Sequence, residues 1–193
     1  MPRQKEFDPA KVLEDAMLLF RDQGYDATSV QDLVDRTGIN RFSLYATFKS
    51  KQDLFEAALD AYYNQVAIPF FDRLATSNEG LVIIEEVLLE LVSRIKCGVS
   101  SNGCLICNSI AELGARPGPG TVRVYQKYFD LLEVKFYAAI LRARELGEVP
   151  EDIDARGHAK RLVTYSTGLL IAAKVQTEED LRQSVSATVR AIQ

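Results

Sequence analysis

Apolar residues recur at intervals of three and four positions along most of the chain, and an apolar–polar alternation of period two never persists. The first such face consists of Val12, Leu13, Ala16, Leu19 and Phe20. Intervals of three and four place apolar side chains on one side of a helix, whereas a strand requires alternation. The pattern therefore predicts an all-α protein of about nine helices, with three or four short helices first and about five longer ones after them.

Short polar residues, glycine and proline indicate where these helices begin and end, because they cap helix termini or interrupt helical hydrogen bonds. Thr28 is predicted to cap the second helix, with Asp32 near the reciprocal capping position. Pro69 is predicted to kink or end the fourth helix, and residues 115–120, ARPGPG, form the clearest predicted loop. The predicted helices span roughly 9–23, 29–37, 41–48, 50–69, 79–96, 104–113, 121–146, 154–175 and 177–193.

The second and third predicted helices are joined by about three residues around Gly38, a spacing typical of a helix-turn-helix unit. In such a unit the second helix enters the major groove of DNA. Leu44 and Phe48 lie four residues apart and are spaced to pack inward, which leaves another face of this helix for DNA. The predicted DNA-binding residues are Thr28, Arg41, Phe42, Ser43, Tyr45, Thr47, Lys49 and Lys51.

The chemistry of these side chains suits the surface of a DNA duplex. Arg41 can donate to guanine O6 and N7 or to a phosphate, and Phe42 can contact a thymine methyl group. The hydroxyls of Thr28 and Tyr45 suit phosphate oxygens. Lys51 lies in the first turn of the fourth predicted helix, where the positive end of the helix dipole already favours an anion.

The distribution of charge supports a localised docking face. The formal net charge of −4 and the pI near 5.2 argue against a protein that coats nucleic acid without sequence preference. Residues 36–52, however, contain four basic residues and no acidic residue. A sequence-specific DNA-binding protein needs only its docking face to be basic.

The segment DATSVQDLVDRTGINRFSLYATFKSKQDLFEAAL resembles the DNA-binding segment of TetR/AcrR-type transcriptional regulators. The shared features are a Thr-capped second helix, Gly-Ile at the turn, a Leu-Tyr pair followed three residues later by Phe, and Ser-Lys-x-x-Leu at the start of the fourth helix. Two positions depart from the common pattern, because Phe42 replaces a frequent small residue and Ala46-Thr47 replaces a common aromatic–His pair. These departures leave the base preference open.

The resemblance implies a homodimer that binds a palindromic operator in double-stranded DNA, usually as a repressor, and is released by a small-molecule effector. It implies two domains, a helix-turn-helix DNA-binding domain at 1-53 and a helical effector-binding and dimerisation domain at 54-193. It also predicts a cytoplasmic regulator rather than an enzyme. The first residues lack the apolar run of a secretion signal, and 162–175 is shorter than the ~20 apolar residues that span a membrane.

The last two predicted helices each carry an apolar stripe, and a two-fold operator requires a dimer. Stripes of this kind also form the core of a single chain, and the resemblance favours their use in the dimer. The predicted interface residues are Leu162, Tyr165, Ser166, Leu169, Leu170, Ala173, Leu181, Val185 and Val189.

The effector cavity is expected among the helices between residues 79 and 146, where aromatic side chains are abundant. At helical spacing most such aromatics form core rather than a ligand site. The predicted effector-binding residues are Cys104, Asn108, Tyr125 and Phe129. The segment NGCLIC places Cys104 and Cys107 in a C-x-x-C motif at a predicted helix start, where a thiolate is stabilised. The Gly-Cys pair resembles family members that sense electrophiles or oxidants through cysteine, although small buried cysteines serve equally as core.

Two other functional classes are compatible with parts of the sequence. A helical thiol oxidoreductase could use Cys104 and Cys107, but the carboxymuconolactone decarboxylase-type enzymes that it would resemble carry a histidine close to the motif, and Asn-Ser-Ile-Ala follows here. A helical adaptor would explain the apolar stripes but not the acid-free window. We expect no cofactor and no metal, because His158 is the only histidine and a zinc site would need further ligands. The odd number of cysteines, three, does not favour a disulfide framework.

Overall fold

The structure is a computed structural model, and it describes residues 7–97 and 102–193. Every regular element in those residues is helical, which confirms the all-α prediction. The helices are α1 (Pro9–Gln23), α2 (Val30–Thr37), α3 (Arg41–Phe48), α4 (Lys51–Tyr62), a π-helical turn (Tyr63–Ala67), α5 (Ile68–Thr76), α6 (Leu81–Lys96), α7 (Leu105–Leu113), α8 (Pro119–Glu145), α9 (Ala155–Ala172) and α10 (Glu178–Arg190). Because α4, the π-helical turn and α5 follow without a break, the described residues form nine separate helical segments.

Side-chain caps fix the first helices where the sequence predicts them, with one correction. The Asp8 carboxylate accepts from the Ala10 N–H at 2.9 Å and begins α1. The second helix is capped by Ser29 rather than by Thr28, so that prediction was wrong. Ser29 Oγ accepts from the Asp32 N–H at 3.1 Å, and the Asp32 carboxylate accepts from the Ser29 N–H at 2.7 Å. These reciprocal bonds form a complete capping box.

Pro69 does not end the fourth helical segment, which continues through it to Thr76. It stands at the second position of α5, directly after the π-helical turn. Proline lacks an N–H, and its ring collides with the carbonyl four residues back in a regular helix. Here the Ile68 N–H donates to the carbonyl of Tyr63, five residues back, and this wider turn accommodates the proline.

The helices enclose one hydrophobic core that runs from the N-terminal helices to α10. α1 packs on α4, α8 packs on α9, α5 and α4, and α10 packs on α6. One face of α4 is buried in this core, through Leu54, Phe55, Ala58, Leu59 and Tyr62. The loop predicted at 115–120 is shorter in the structure, because α8 already begins at Pro119. Proline suits the first turn of a helix, where its missing N–H has no helical acceptor.

The apolar stripes of the last two helices face this core, so most of the residues predicted for the dimer interface are covered within the single chain. Their packing on α8 and α6 explains the apolar pattern without a second chain. Of the predicted set, only Tyr165 keeps a partly exposed side chain. The predicted interface residues buried within the single chain are Leu162, Ser166, Leu169, Leu170, Ala173, Leu181, Val185 and Val189.

A helix must be both long and apolar to cross a bilayer. Among the described residues, no helix combines the length and the apolar composition needed to span a membrane.

Candidate nucleic-acid interface and thiol cavity

The helix α3 is held by its buried face and offers the opposite face to solvent. Asn40 caps the helix by accepting from the Ser43 N–H at 2.9 Å. Leu44 is buried, and Phe48 packs partly buried against the core. Phe42 on the outer face is 84% exposed. The Phe42 ring therefore has no packing role within the chain and is free to contact a partner.

Arg41 and Tyr45 lie together on the outer side of α3. The Arg41 guanidinium carbon is 5.6 Å from the centroid of the Tyr45 ring, which is a cation–π arrangement. Arg41 is exposed and Tyr45 is half-buried. This pairing limits the freedom of the guanidinium while its N–H donors stay available. The predicted cation and hydroxyl therefore occur on one face, as the sequence indicated.

Lys49 links α3 to α4 in a strained backbone conformation, with φ 65° and ψ −54°. The Ser50 N–H donates to the Phe48 carbonyl oxygen at 2.7 Å, which closes a three-residue γ-turn around Lys49. No other non-glycine residue of the described chain has a positive φ. Strained residues of this kind cluster at functional sites. This turn aims the start of α4, with Lys49 and Lys51, alongside α3.

Lys51 lies in the first turn of α4, where Ser50 accepts from the Asp53 N–H at 3.0 Å. Its ammonium nitrogen is 4.3 Å from the centroid of the Tyr25 ring. Burial lowers the pKa of Lys51, although the nearby acid Asp26 opposes that effect. Lys51 is thus half-buried and held in place rather than freely extended into solvent.

Two hydroxyls predicted to contact DNA, those of Thr28 and Thr47, have internal partners in this structure. Thr28 is completely buried and its hydroxyl donates to the Gly24 carbonyl oxygen, so the predicted phosphate contact through that hydroxyl is wrong. The Thr47 hydroxyl donates to the Ser43 carbonyl oxygen at 3.0 Å, and both side chains are half-buried. Ser29, an exposed N-cap beside this face, was missed because the sequence analysis assigned the cap one residue too early.

A cavity of about 50 Å³ lies between α4, the π-helical turn, α5, α6 and the start of α7. Ligand sites for drug-sized molecules typically measure ~300–1,000 Å³, so this cavity suits only a very small molecule. Its wall is mostly apolar and aromatic, with a thiol at one side. The principal lining residues are Tyr62, Phe70, Phe71, Arg94, Cys104 and Tyr128.

Of the four predicted effector-binding residues, only Cys104 lines the cavity. The Tyr125 hydroxyl donates to Ser109 Oγ at 2.9 Å, away from the cavity wall. The Asn108 amide oxygen accepts from Lys174 Nζ at 2.8 Å. Phe129 packs edge-on against Tyr128, with ring centroids 5.9 Å apart. Asn108, Tyr125 and Phe129 therefore do not line this cavity, because helical periodicity does not distinguish a core contact from a cavity wall.

Cys104 is the N-cap of α7, and Cys107 lies one turn further along. Both sulfur atoms are 3.8 Å from the Tyr128 hydroxyl oxygen, and both thiols are free and buried. A hydrogen bond with Cys107 lowers the pKa of Cys104 to about 6, against the opposing effect of burial. The same bond, together with burial, raises the pKa of Cys107 well above its ordinary value. The pair therefore consists of one thiolate and one thiol that donates to it.

Two tyrosines of this cluster, Tyr62 and Tyr128, were missed by the sequence analysis. Burial raises the pKa of both hydroxyls well above the ordinary value, so they stay protonated. Tyr62 lies on α4 and Tyr128 on α8, far from the C-x-x-C motif along the chain. The described residues contain no group of three or more His, Cys, Asp or Glu side chains suited to a metal ion.

Comparison with known proteins gives consistent matches over nearly the whole chain. The family profile described as bacterial regulatory proteins, tetR family, matches residues 12–58, and the profile described as tetracyclin repressor-like, C-terminal domain, matches residues 83–189. The uncharacterized HTH-type transcriptional regulator YezE of Bacillus subtilis (strain 168) is 34% identical over 184 residues, which cover 95% of this chain and 94% of that protein. The HTH-type transcriptional repressor ComR of Escherichia coli (strain K12) is 31% identical over 199 residues, covering 97% and 90% of the two chains.

A similar solved structure contains DNA. A cysteine mutant of the TetR family transcriptional regulator CifR, complexed with a 26 bp double-strand operator DNA, superposes with a TM-score of 0.84 at 28% identity. The superposition covers 99% of this chain and 100% of that chain.

Proposed function

Because the chain belongs to the TetR family of bacterial transcriptional regulators, we propose that it is a repressor that binds a palindromic operator as a homodimer. A small thiol-reactive effector releases the operator by modifying Cys104. Residues 1-53 form the DNA-binding domain, and residues 54-193 form the effector-binding and dimerisation domain. Its place of action is the cytoplasm, where operator DNA lies.

The observation that carries the DNA-binding proposal is the exposed outer face of α3. Arg41 reads guanine, and Phe42, which water surrounds in the free protein, covers a thymine methyl group. Tyr45, Lys49 and Lys51 contact phosphates beside the start of α4, where unpaired N–H groups favour an anion. The operator complex of the related CifR supports this assignment.

The dimer uses the outer faces of α9 and α10 rather than the buried stripes. On α9 and the turn after it, exposed residues recur at helical spacing, and Ile171 and Val175 are 56% and 85% exposed. A groove of about 370 Å³ separates this face from α10. The exposed residues proposed for the α9 side of the interface are Arg161, Thr164, Gly168, Ile171 and Val175.

Gly168 provides a direct test of this interface. A Cβ atom at this position would meet no atom within 4 Å, so the single chain has room for a side chain to start there. In Gly168→Glu, like charges face each other across the two-fold axis, and we expect monomers in sedimentation velocity and at least ~100-fold weaker operator binding. Val134→Glu on the exposed side of α8 is the matched control and keeps the dimer. A dimeric Gly168→Glu variant would refute this interface.

The release step is a reaction of the Cys104 thiolate inside the small cavity. With an α,β-unsaturated carbonyl compound, sulfur bonds to the β-carbon, and the resulting enolate takes a proton from water. With hydrogen peroxide, the thiolate breaks the O–O bond and hydroxide leaves, which gives a sulfenic acid that Cys107 converts to a disulfide with loss of water. The cavity volume of about 50 Å³ supports a reactive small molecule over a bulky reversible ligand.

The first experiment selects bound duplexes from a random DNA pool at about 0.15 M salt. The unmodified reduced protein should enrich a palindrome whose half-site centres lie roughly 34–36 Å apart. Arg41→Ala/Tyr45→Ala should not recover it, whereas Arg144→Ala, an exposed arginine on α8, removes the same single positive charge and should recover it. No enrichment by the reduced or the oxidised protein would refute specific DNA binding.

The enzyme alternative does not hold, because the relatives of this chain are transcriptional regulators that share its fold. Cys104 and Cys107 are also both buried, which leaves no open site for the protein or disulfide substrates of a thiol oxidoreductase.

A further inference from the structure

A carboxylate from the C-terminal half of the chain binds the backbone of the helix-turn-helix half. Glu112 lies in the last turn of α7, and its two oxygens accept from consecutive N–H groups in the turn between α1 and α2. Oε2 accepts from the Tyr25 N–H at 2.9 Å, and Oε1 accepts from the Asp26 N–H at 2.7 Å. The residues involved are separated by more than eighty positions along the chain.

The backbone at Gly24 is shaped to admit this carboxylate. Gly24 has φ 86°, a conformation that favours glycine, and a Cβ atom there would lie only 2.8 Å from Glu112 Oε2. Nearby, Arg116 pairs with Asp26 at 3.1 Å, and Asn102 donates to Asp22 at 3.2 Å. Contacts from before and after α7 therefore hold the end of α1.

The residue bound by Glu112 also supports the DNA-binding surface. The Tyr25 ring packs against Phe55 of α4 with centroids 4.7 Å apart, and the Lys51 ammonium lies 4.3 Å from the same ring. A shift of the α1–α2 turn therefore displaces both α4 and a proposed phosphate contact. It also moves the beginning of α2, which Ser29 caps.

The other end of α7 carries the thiols. Glu112 lies eight positions after Cys104, and eight positions correspond to roughly 12 Å along a helix. A short helix of this length moves as a rigid unit, because its backbone hydrogen bonds connect its two ends. A group added to Cys104 occupies this small cavity and displaces the contact of the sulfur with the Tyr128 hydroxyl, so it acts directly on the start of α7.

We propose that Glu112 is a positioning residue for operator binding, which fixes the α1–α2 turn by its two backbone hydrogen bonds and releases it when Cys104 is modified. The release part of this inference rests on the proposed function, whereas the positioning part rests on the contacts of Glu112 alone. No proton or electron is transferred at Glu112 in this step.

The decisive measurement is amide hydrogen exchange at Tyr25 and Asp26, resolved by NMR in a Cys97→Ser background that removes the exposed thiol. Methyl methanethiosulfonate is the probe, because it transfers only a methylthio group to the thiolate and releases methanesulfinate. The reduced protein should protect both amides, and treatment should speed their exchange about tenfold. Cys104→Ser should abolish the effect of the probe. Unchanged exchange after stoichiometric labelling of Cys104 would overturn the coupling.

The second arm substitutes Glu112→Gln, which keeps the shape of the side chain but replaces one acceptor oxygen by an NH₂ group. Loss of a negative charge by itself strengthens DNA binding. We nevertheless expect the operator Kd to rise about tenfold and the further effect of the probe to fall below about twofold. Glu145→Gln on α8 removes the same charge far from the turn, in an exposed i,i+3 pair with Arg142, and should bind as the reference protein does.

The two arms separate this inference from the proposed function. A reference protein that binds the operator but is not released by the probe refutes the thiol step, while amide exchange in Glu112→Gln still decides whether the carboxylate fixes the turn. If Glu112→Gln shows the same amide exchange, operator affinity and release by the probe as the reference protein, the positioning role is overturned. The labelling arm needs no substitution at Glu112, so it remains decisive if that variant is unstable.

Discussion

The outer face of α3 and the thiol cavity use similar side chains in opposite environments. Phe42 is 84% exposed, whereas Tyr128 beside the two thiols is 1% exposed. A buried aromatic ring contributes both to stability and to the shape of the site, while an exposed ring contributes little until a partner covers it. On α3, a substitution of an exposed residue should therefore affect DNA binding without affecting stability. At the cavity, the side chains around the thiols also form the core, so a substitution there should affect both reactivity and stability.

The largest expected difference is in the free energy of unfolding, between substitutions of Leu44 and Phe42 on opposite faces of α3. Leu44→Ala removes a side chain that is 1% exposed and should lower the free energy of unfolding by about 2–5 kcal/mol. Phe42→Ala should change that free energy by less than about 0.5 kcal/mol. It should nevertheless weaken operator binding by at least about fivefold, through the lost contact with a thymine methyl group. Urea unfolding and operator titration measure the two effects, and a strongly destabilised Phe42→Ala protein would contradict the separation.

The reactivity of the cavity should depend on pH in a range set by Cys104. Its pKa of about 6 means that the thiol is protonated below that pH and ionised above it. Only the thiolate reacts, so the rate of methylthiolation should rise about tenfold from pH 5 to pH 7 and level off above that. Mass spectrometry of the Cys97→Ser protein measures this rate. Adding Cys104→Ser should remove the methylthiolation that levels off above pH 7. A rate that keeps rising steeply to pH 9 would show that Cys104 is not ionised.

The smallest expected effects concern the strained turn at Lys49, where stability and binding should change in opposite directions. Lys49→Gly suits the positive φ, so we expect the free energy of unfolding to rise by about 1 kcal/mol. The melting temperature should rise by about 3 °C. Loss of one phosphate contact should reduce the slope of log K against log salt by about 0.9. Lys49→Ala keeps the strain and loses the same charge, so it should share the change in salt slope without the gain in stability.

Local signals predicted the helices because they act within a few residues of the chain. Asn40 caps α3 and Thr177 caps α10, at or next to the predicted starts of those helices, since a side-chain oxygen reaches an N–H three residues on. The error at Thr28 and Ser29 also has a local cause, because two adjacent hydroxyl residues both suit an N-cap. Only the packing of Thr28 into the core determines which of them accepts the hydrogen bond.

The candidate sites were predicted unevenly. The sequence placed Arg41, Phe42 and Tyr45 on one face of α3, because a single helix fixes their relative directions. The residues predicted for the dimer interface and for the effector site mostly lie in the core or off the cavity wall, for another reason. Periodicity predicts that Leu169 or Phe129 is covered, but the covering element comes from another part of the chain. No spacing rule connects Glu112 with Tyr25 or Tyr62 with Cys104.

By itself, therefore, the sequence determined the helices, most of their caps, the helix-turn-helix unit and the family. Each depends on side chains that interact with their own backbone or share one helix face. Only the tertiary structure decided which apolar stripes form the core, that the thiols meet Tyr62 and Tyr128 in a small cavity, and that Glu112 reaches the α1–α2 turn. Those contacts join residues far apart in the chain, and they arise only when whole helices pack to exclude water.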